Sequence, residues 1–117
     1  MAQEKQFENK IKKYLKEHGY YYFKFWGTAY TKAGVPDLIA CVNGRFVGIE
    51  VKAENGRPSE IQLENIRQIR DNNGYAVVVY PEQFEQLKLF LESIEQGYDK
   101  KARLAEGGFD ESKRHSG

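Results

Sequence analysis

The chain has 117 residues, of which 18 are Lys or Arg and 17 are Asp or Glu, so its formal net charge is +1. This length fits one domain with one core, and the balanced charge does not select nucleic acid, a membrane or an acidic ligand as the partner. The apolar runs are far shorter than the roughly 18 residues of a membrane helix, and the single Cys cannot form an internal disulfide. We therefore expect a soluble protein of the reducing cytoplasm, without membrane contacts.

Three segments are predicted in the first third of the chain. Apolar residues recur at helical spacing in residues 4–18, just before Gly19, and predict an amphipathic helix. The aromatic side chains of residues 20–27 favour a strand. Residues 28–36 are small and aperiodic, which predicts a mobile loop.

The remaining two thirds contain a predicted hairpin, two helices and a further strand. Two apolar runs flank Asn43-Gly44, a strong signal for a β-hairpin with a two-residue turn. Residues 59–72 and 82–94 have helical periodicity, and residues 75–80 form a short apolar run typical of a buried strand. Residues 96–117 are polar and aperiodic, so we predict a flexible C-terminal tail.

This order of elements, helix, three strands, helix, strand and helix, predicts an α/β fold. The domain is expected to span residues 1–95 and to contain a small mixed four-stranded sheet flanked by helices. The hairpin arms are expected to be antiparallel, whereas the third and fourth strands, joined through a helix, are expected to be parallel.

The two-residue turn also predicts the register of the hairpin. If Val42 pairs with Arg45 across a type I′ turn, Asp37 falls directly opposite Glu50. Like charges in that position are destabilising, and Lys52 shares their face two residues further on. A longer turn shifts the register by one residue but leaves the three groups near the same edge of the sheet.

Two interpretations of these charges compete. They are either solvated strand ends, with Glu50 and Lys52 neutralising each other, or a site. Ile39, Cys41 and Phe46 share the face of the acidic pair, which predicts a hairpin buried on both faces. Two carboxylates beside such a core are costly unless a cation lies between them. A Mg²⁺ ion fills that role, because it takes a few carboxylate oxygens and also binds phosphate.

Three segments together resemble a known family. Residues 34–37 (Gly-Val-Pro-Asp), residues 50–52 (Glu-Val-Lys) and a following helix with Gln62 are similar to the stand-alone VRR-NUC domains of phages and bacteria. These domains belong to the PD-(D/E)XK nuclease superfamily, and the resemblance covers residues 4–95. It implies a restriction-endonuclease-like αβββαβ core and a Mg²⁺- or Mn²⁺-dependent DNA endonuclease, selective for branched, flapped or junction DNA, in a bacterial or phage-infected cell.

The resemblance also implies site residues. The implied catalytic residues are Asp37, Glu50, Lys52 and Gln62. The implied metal ligands are Glu8, Asp37, Glu50 and the backbone carbonyl of Val51. Such a site hydrolyses a phosphodiester without a covalent nucleophile, because the metal lowers the pKa of bound water and a lysine stabilises the developing charge.

Two of these roles have structural alternatives. Gln62 stands three residues after Ser59, so it also fits a capping box at the start of its helix. Glu8, on the flank of the apolar stripe of the first helix, also fits an ion pair with a nearby lysine such as Lys12. Glu4, one turn earlier on the same line, is the alternative ligand from this helix.

Basic residues near the predicted site are candidates for contacts with the DNA backbone. They are Lys24 in the first strand, Lys32 in the loop and Arg57 before the second helix. A homodimer is expected, because a branched junction offers two symmetric strands to a two-fold pair of sites. The alternative function is a non-catalytic DNA-binding or assembly domain that retains the nuclease fold.

Overall fold

The computed structural model describes residues 2–114, which form four helices and four strands. The helices are α1 (Ala2–Glu17), α2 (Glu60–Asp71), α3 (Phe84–Glu95) and α4 (Asp99–Arg114). The strands are β1 (Tyr21–Lys24), β2 (Leu38–Val42), β3 (Arg45–Val51) and β4 (Tyr75–Val79). A 3₁₀ turn, Pro81–Gln83, leads into α3. Within residues 2–114, none of the helices has the length and apolar character needed to span a bilayer.

The four strands form one sheet in the order β1-β2-β3-β4. Strand β2 is antiparallel to both of its neighbours, β1 and β3, whereas β3 and β4 are parallel. Asn43 and Gly44 both have positive φ, 49° and 77°, as a type I′ turn requires. Val42 pairs with Arg45, so the predicted turn, register and strand directions are all confirmed.

The main core lies on one face of the sheet. Helices α1, α3 and α4 cover this face, and apolar residues from each of them join those of β2, β3 and β4 in a single cluster. Ile11 and Leu15 of α1 are completely buried there, as are Phe90 and Leu91 of α3. Because this cluster is closely packed, the sheet is a rigid support for the side chains at its edges.

Helix α2 packs on the opposite face, over β3 and β4. A methyl group at Gly48 would lie 3.2 Å from Ile69 Cδ1 of α2 and 2.9 Å from Pro36, so only glycine allows this close approach. The prediction that both hairpin faces are buried is wrong near the turn, where Cys41 is exposed and Phe46 is 48% exposed. The reason is that α2 meets β3 at Gly48 and beyond, and leaves Phe46 and Cys41 near the turn uncovered.

The prediction of a flexible C-terminal tail is also wrong, because α4 is a helix that closes one side of the core. Its Ala102 and Phe109 are buried, and the Phe109 ring lies 5.6 Å from the ring of Phe90. The folded domain therefore extends beyond the predicted boundary at residue 95. Residues 115–117 of the predicted tail lie outside the described part of the chain.

A buried charged group, Glu106, also helps to attach α4 to the rest of the fold. Glu106 is only 5% exposed and accepts a hydrogen bond of 2.9 Å from the backbone N–H of Ala76 in β4. Arg70 and Arg103 lie 3.4 and 3.1 Å from its carboxylate. Helix α4 has few apolar residues and is fixed by a buried charged group, so its polar composition predicts a tail rather than a packed helix.

The loop between β1 and β2 is fixed at its C-terminal end. The side-chain amide of Asn65, which is 5% exposed in α2, donates to the carbonyl of Ala33 over 3.0 Å. The next residue, Gly34, has φ +79°, and a methyl group there would lie 2.7 Å from the carbonyl oxygen of Ile61. Helix α2 thus holds the backbone just before Asp37.

Candidate active site

The acidic pair and the lysine meet where β2 begins and β3 ends. Asp37 immediately precedes β2, and its Oδ2 accepts a hydrogen bond of 3.0 Å from the backbone N–H of Val51. Glu50 lies near the end of β3, and Lys52 directly follows that strand. The backbone N–H of Lys52 donates to the carbonyl of Val79 in β4, 3.0 Å away. The predicted convergence of the three groups is present, and two neighbouring strands hold it.

Glu50 is the most deeply buried charged group of the site, at 2% exposure. Its Oε2 accepts a hydrogen bond of 3.1 Å from Nε2 of Gln62 and lies 3.4 Å from Nζ of Lys52. Burial, followed by the negative charge of Asp37, raises the pKa of Glu50 to about 8, although Lys52 partly offsets this. The carboxylate therefore stands in surroundings that favour an added positive charge.

The second carboxylate oxygen of Glu50 indicates whether a metal ion fits this site. Oε1 is buried and has no hydrogen-bond partner, a costly state for a carboxylate oxygen. Across residues 2–114, no group of three or more Asp, Glu, His or Cys side chains gathers as a ready-made metal cage. A site with two carboxylates suits Mg²⁺ or Mn²⁺, since Mg²⁺ retains several waters and is bound through one or two carboxylates and a substrate phosphate.

Gln62 forms the predicted capping box and also contacts Glu50. Its Oε1 accepts a hydrogen bond of 2.8 Å from the backbone N–H of Ser59, whose hydroxyl in turn accepts one from the N–H of Gln62. These two bonds form the capping box of α2. Because its oxygen is engaged in this way, the amide N–H₂ group points to Glu50. Helix capping thus fixes the orientation of a side chain in the site.

The first helix places Glu8 in ion pairs with two lysines. Glu8 is buried, with 8% exposure, and its carboxylate lies 2.8 Å from Nζ of Lys24 and 3.5 Å from Nζ of Lys12. The ion-pair alternative therefore describes Glu8 in this structure. The charge of Glu4 raises the pKa of Glu50, but by less than burial or the charge of Asp37 does. A metal ligand from α1, Glu8 or Glu4, stays a prediction.

The three predicted DNA-binding cations differ in their exposure and in their contacts. Lys24 is committed to Glu8 and also lies 5.0 Å from the ring centre of Trp26. Lys32 and Arg57 are exposed. Sequence reasoning missed Tyr80, whose hydroxyl donates to the carbonyl of Gly56 over 2.9 Å. A contact that spans 24 residues leaves no local pattern by which it could be found.

Comparison with known proteins gives one family and one informative structure. Residues 2–77 match the family model of archaeal Holliday junction resolvases, Hjc. Among solved structures, the chain resembles Hjc from Archaeoglobus fulgidus, described as a Holliday junction resolvase from an archaeal hyperthermophile, with a TM-score of 0.51 and 21% sequence identity. The alignment covers 65% of this chain and 66% of the Archaeoglobus fulgidus protein. This chain therefore matches just under two thirds of the length of that protein. The comparison with curated proteins gives no match.

The mixed four-stranded sheet, the flanking helices and the charged end of the hairpin define the class of this protein. It has the restriction-endonuclease-like α/β fold of the PD-(D/E)XK-like nucleases. The family model covers well over half of the sequence. The chain belongs to the archaeal Holliday junction resolvase (Hjc) family. Helices α3 and α4 lie beyond the matched residues.

Proposed function

We propose that this protein is a divalent-metal-dependent endonuclease that cuts four-way DNA junctions. The observation that carries the proposal is the buried Glu50 carboxylate, with one unpartnered oxygen, beside Asp37 and Lys52. Membership of the Hjc family, whose model bears the name of Holliday junction resolvases, supports junction DNA as the substrate. The VRR-NUC resemblance, and Mg²⁺ or Mn²⁺ as the particular metal, stay predictions.

Asp37, Glu50 and the backbone carbonyl of Val51 are the groups that would hold the metal, with Glu4 nearby on α1. When bound, the ion activates a water molecule and neutralises phosphate charge. The hydrogen bond from the N–H of Val51 orients Asp37. Gln62 donates to one oxygen of Glu50 and leaves the other free for a ligand.

Lys52 has two roles in this proposal. Its ammonium, 3.4 Å from Glu50, lowers the pKa of that carboxyl and so favours the ionised form that binds a metal. Its side chain is 14% exposed, so it retains access to a substrate. There it stabilises the negative charge that develops on the phosphate as the P–O bond breaks.

Cleavage of a panel of labelled DNAs tests the proposal. The panel contains a four-way junction, a flap, a duplex and a single strand, each incubated with Mg²⁺, with Mn²⁺ and with EDTA. We expect metal-dependent nicks near the branch point of the junction and little cutting of the duplex. Binding of junction DNA without cleavage under either metal would favour the non-catalytic DNA-binding alternative.

We also propose that the protein acts as a homodimer through an aromatic face of the sheet. This face consists of Tyr21, Phe23, Cys41 and Phe46, which share one side of β1, β2 and β3. The three aromatic side chains are 71%, 45% and 48% exposed. Contiguous exposed apolar surface is typical of protein interfaces, and a two-fold pair matches the two strands that a junction resolvase cuts.

The double substitution Tyr21→Asp and Phe46→Asp is expected to convert the dimer to a monomer. Two desolvated carboxylates at the centre of a self-complementary interface oppose each other across the two-fold axis. Light scattering coupled to gel filtration measures the mass. Leu104→Asp, at a residue 75% exposed on α4, is the matched control and is expected to remain dimeric. A wild-type mass of one chain at micromolar concentration would contradict the proposed dimer.

A further inference from the structure

A cleft of about 690 Å³ lies beside the active site, between the loop after β3, helix α2, strand β4 and helix α4. Leu63, Val78, Tyr80 and Phe109 contribute apolar surface to its walls. Its volume falls within the range of about 300–1,000 Å³ that small-molecule and nucleotide sites occupy. The mechanism outlined above makes no use of this space.

The cleft and the active site share a wall. A methyl group at Gly56, in the loop that lines the cleft, would lie 3.4 Å from Cδ of Lys52. Tyr80 fixes this loop through its hydrogen bond to the Gly56 carbonyl. On α2, Leu63 of the cleft is the neighbour of Gln62, which contacts Glu50. A DNA strand that lies over Lys52 therefore borders the loop that lines the cleft.

The charges of the cleft suit a phosphate. Three arginines, Arg57, Arg67 and Arg70, line the cleft together with two carboxylates, Glu54 and Asp110. Arg70 is paired with Asp110 over 2.7 Å, and Arg67 with Glu64 outside the cleft lining. Arg57 is exposed, and among residues 2–114 no carboxylate pairs with it. A free guanidinium presents the planar set of donors that matches phosphate oxygens.

We propose that this cleft receives one unpaired nucleotide of the DNA substrate, adjacent to the phosphate that is cut. Arg57 binds the phosphate of that nucleotide, and its base lies on Leu63 and Val78. The proposal rests on the proposed function, because it takes DNA as the substrate. It extends that function by stating that the enzyme reads an unstacked base, a group that a continuous duplex does not offer to a cleft.

Part of the cleft lies outside the region that defines the family. Val78, Tyr80, Phe109 and Asp110 follow residue 77, where the match to the Hjc model ends. Helix α4 supplies two of these four residues and is fixed to β4 by the buried Glu106. The nucleotide site is therefore built by the joint packing of the matched region and the C-terminal helix of this chain.

Junctions that lack a single base test this proposal. A set of four-way junctions carries one abasic nucleotide at each position near the branch point, and fluorescence anisotropy measures binding in EDTA, where nothing is cut. One position is expected to weaken binding to the wild type by at least about fivefold, the loss of one stacked base. The Leu63→Ala variant is expected to lose most of that discrimination, because both changes remove the same contact.

The Arg57→Ala variant tests the phosphate contact separately. For this variant we expect the slope of log binding constant against log salt to fall by about 0.7, as for one single-strand phosphate contact. Lys100→Ala, an exposed cation at the far end of α4 from Phe109, is the matched control and is expected to keep the wild-type slope. Circular dichroism establishes that all three variants fold.

Each outcome decides between the two proposals. Equal binding of all abasic junctions, or equal salt slopes for Arg57→Ala and Lys100→Ala, overturns the cleft proposal while leaving metal-dependent cleavage intact. If one abasic junction binds more weakly in EDTA as expected, but no junction is cleaved when metal is added, the proposal for the cleft stands and the proposed nuclease activity is wrong. A wild type that binds no junction overturns both.

Discussion

The Lys52→Ala variant is expected to cut four-way junctions roughly 10²- to 10³-fold more slowly than the wild type, the usual cost of removing one group that stabilises transition-state charge. Lys52 is the cation beside Glu50, so its removal also weakens the ionisation of that carboxylate. Single-turnover cleavage with saturating protein measures the chemical step. Asp37→Asn is expected to lose at least as much activity, since it removes a proposed metal ligand.

Binding and chemistry are separated by controls. Lys52→Ala is expected to bind the junction in EDTA nearly as tightly as the wild type, because one side chain that is 14% exposed adds little to a wide DNA interface. Lys100→Ala removes the same charge from an exposed position on α4 and is expected to cleave normally. If Lys52→Ala and Lys100→Ala cleave at the same rate, the proposed role of the lysine is wrong.

The second large effect is on stability: Glu50→Gln is expected to abolish cleavage and yet to stabilise the metal-free protein at alkaline pH. The pKa of Glu50 in the folded protein is about 8, raised first by burial and then by Asp37, against a usual value of 4.5. Folding therefore takes up a proton between these two pH values. The contribution of Glu50 to the free energy of unfolding is therefore greatest below about pH 4.5, and it decreases as the pH rises to about 8.

Glutamine keeps the size of the side chain but cannot ionise, so this pH dependence is expected to disappear in Glu50→Gln. At pH 8.5 the variant is expected to be more stable than the wild type by a few kcal/mol, because one pKa unit corresponds to about 1.4 kcal/mol. Urea unfolding in EDTA at pH 5, 7 and 8.5 measures the difference. Glu17→Gln, an exposed glutamate of α1, is the control that is expected to follow the wild type.

Metal provides an independent check on this result. Adding Mg²⁺ or Mn²⁺ at pH 8.5 is expected to raise the stability of the wild type, since the folded state alone binds the ion. The same addition is expected to have little effect on Glu50→Gln. If the stabilities of the wild type and of Glu50→Gln depend on pH in the same way in EDTA, the raised pKa does not belong to Glu50.

The sequence predicts best those features that follow from a local rule. Asn43-Gly44 specifies a type I′ turn, and the turn determines the register that brings Asp37 to the side of Glu50. The capping box of Ser59 and Gln62 is equally local, and it fixes the amide of Gln62 toward Glu50. In both cases neighbouring residues determine the backbone, and the backbone determines the site.

Features that depend on how separate elements pack were predicted less well. The partner of Glu8 is Lys24, and their meeting depends on how α1 lies against β1. The exposure of Phe46 depends on which strands α2 covers. Helix α4 is fixed by the buried charge of Glu106, a residue type that sequence patterns assign to the surface. Hydrophobic periodicity contains no information on any of these contacts.

The hairpin turn has a consequence for which sequence changes this protein tolerates. Exposed loop tips usually accept insertions and deletions, and Asn43-Gly44 is such a tip, about 20 Å along the strand from Asp37 by strand geometry. A one-residue insertion there moves the pairing of β2 by one position, and the Asp37 carboxylate then loses its place opposite Glu50. Among homologues, length variation is therefore expected in the loop before Gly34 and absent from this turn.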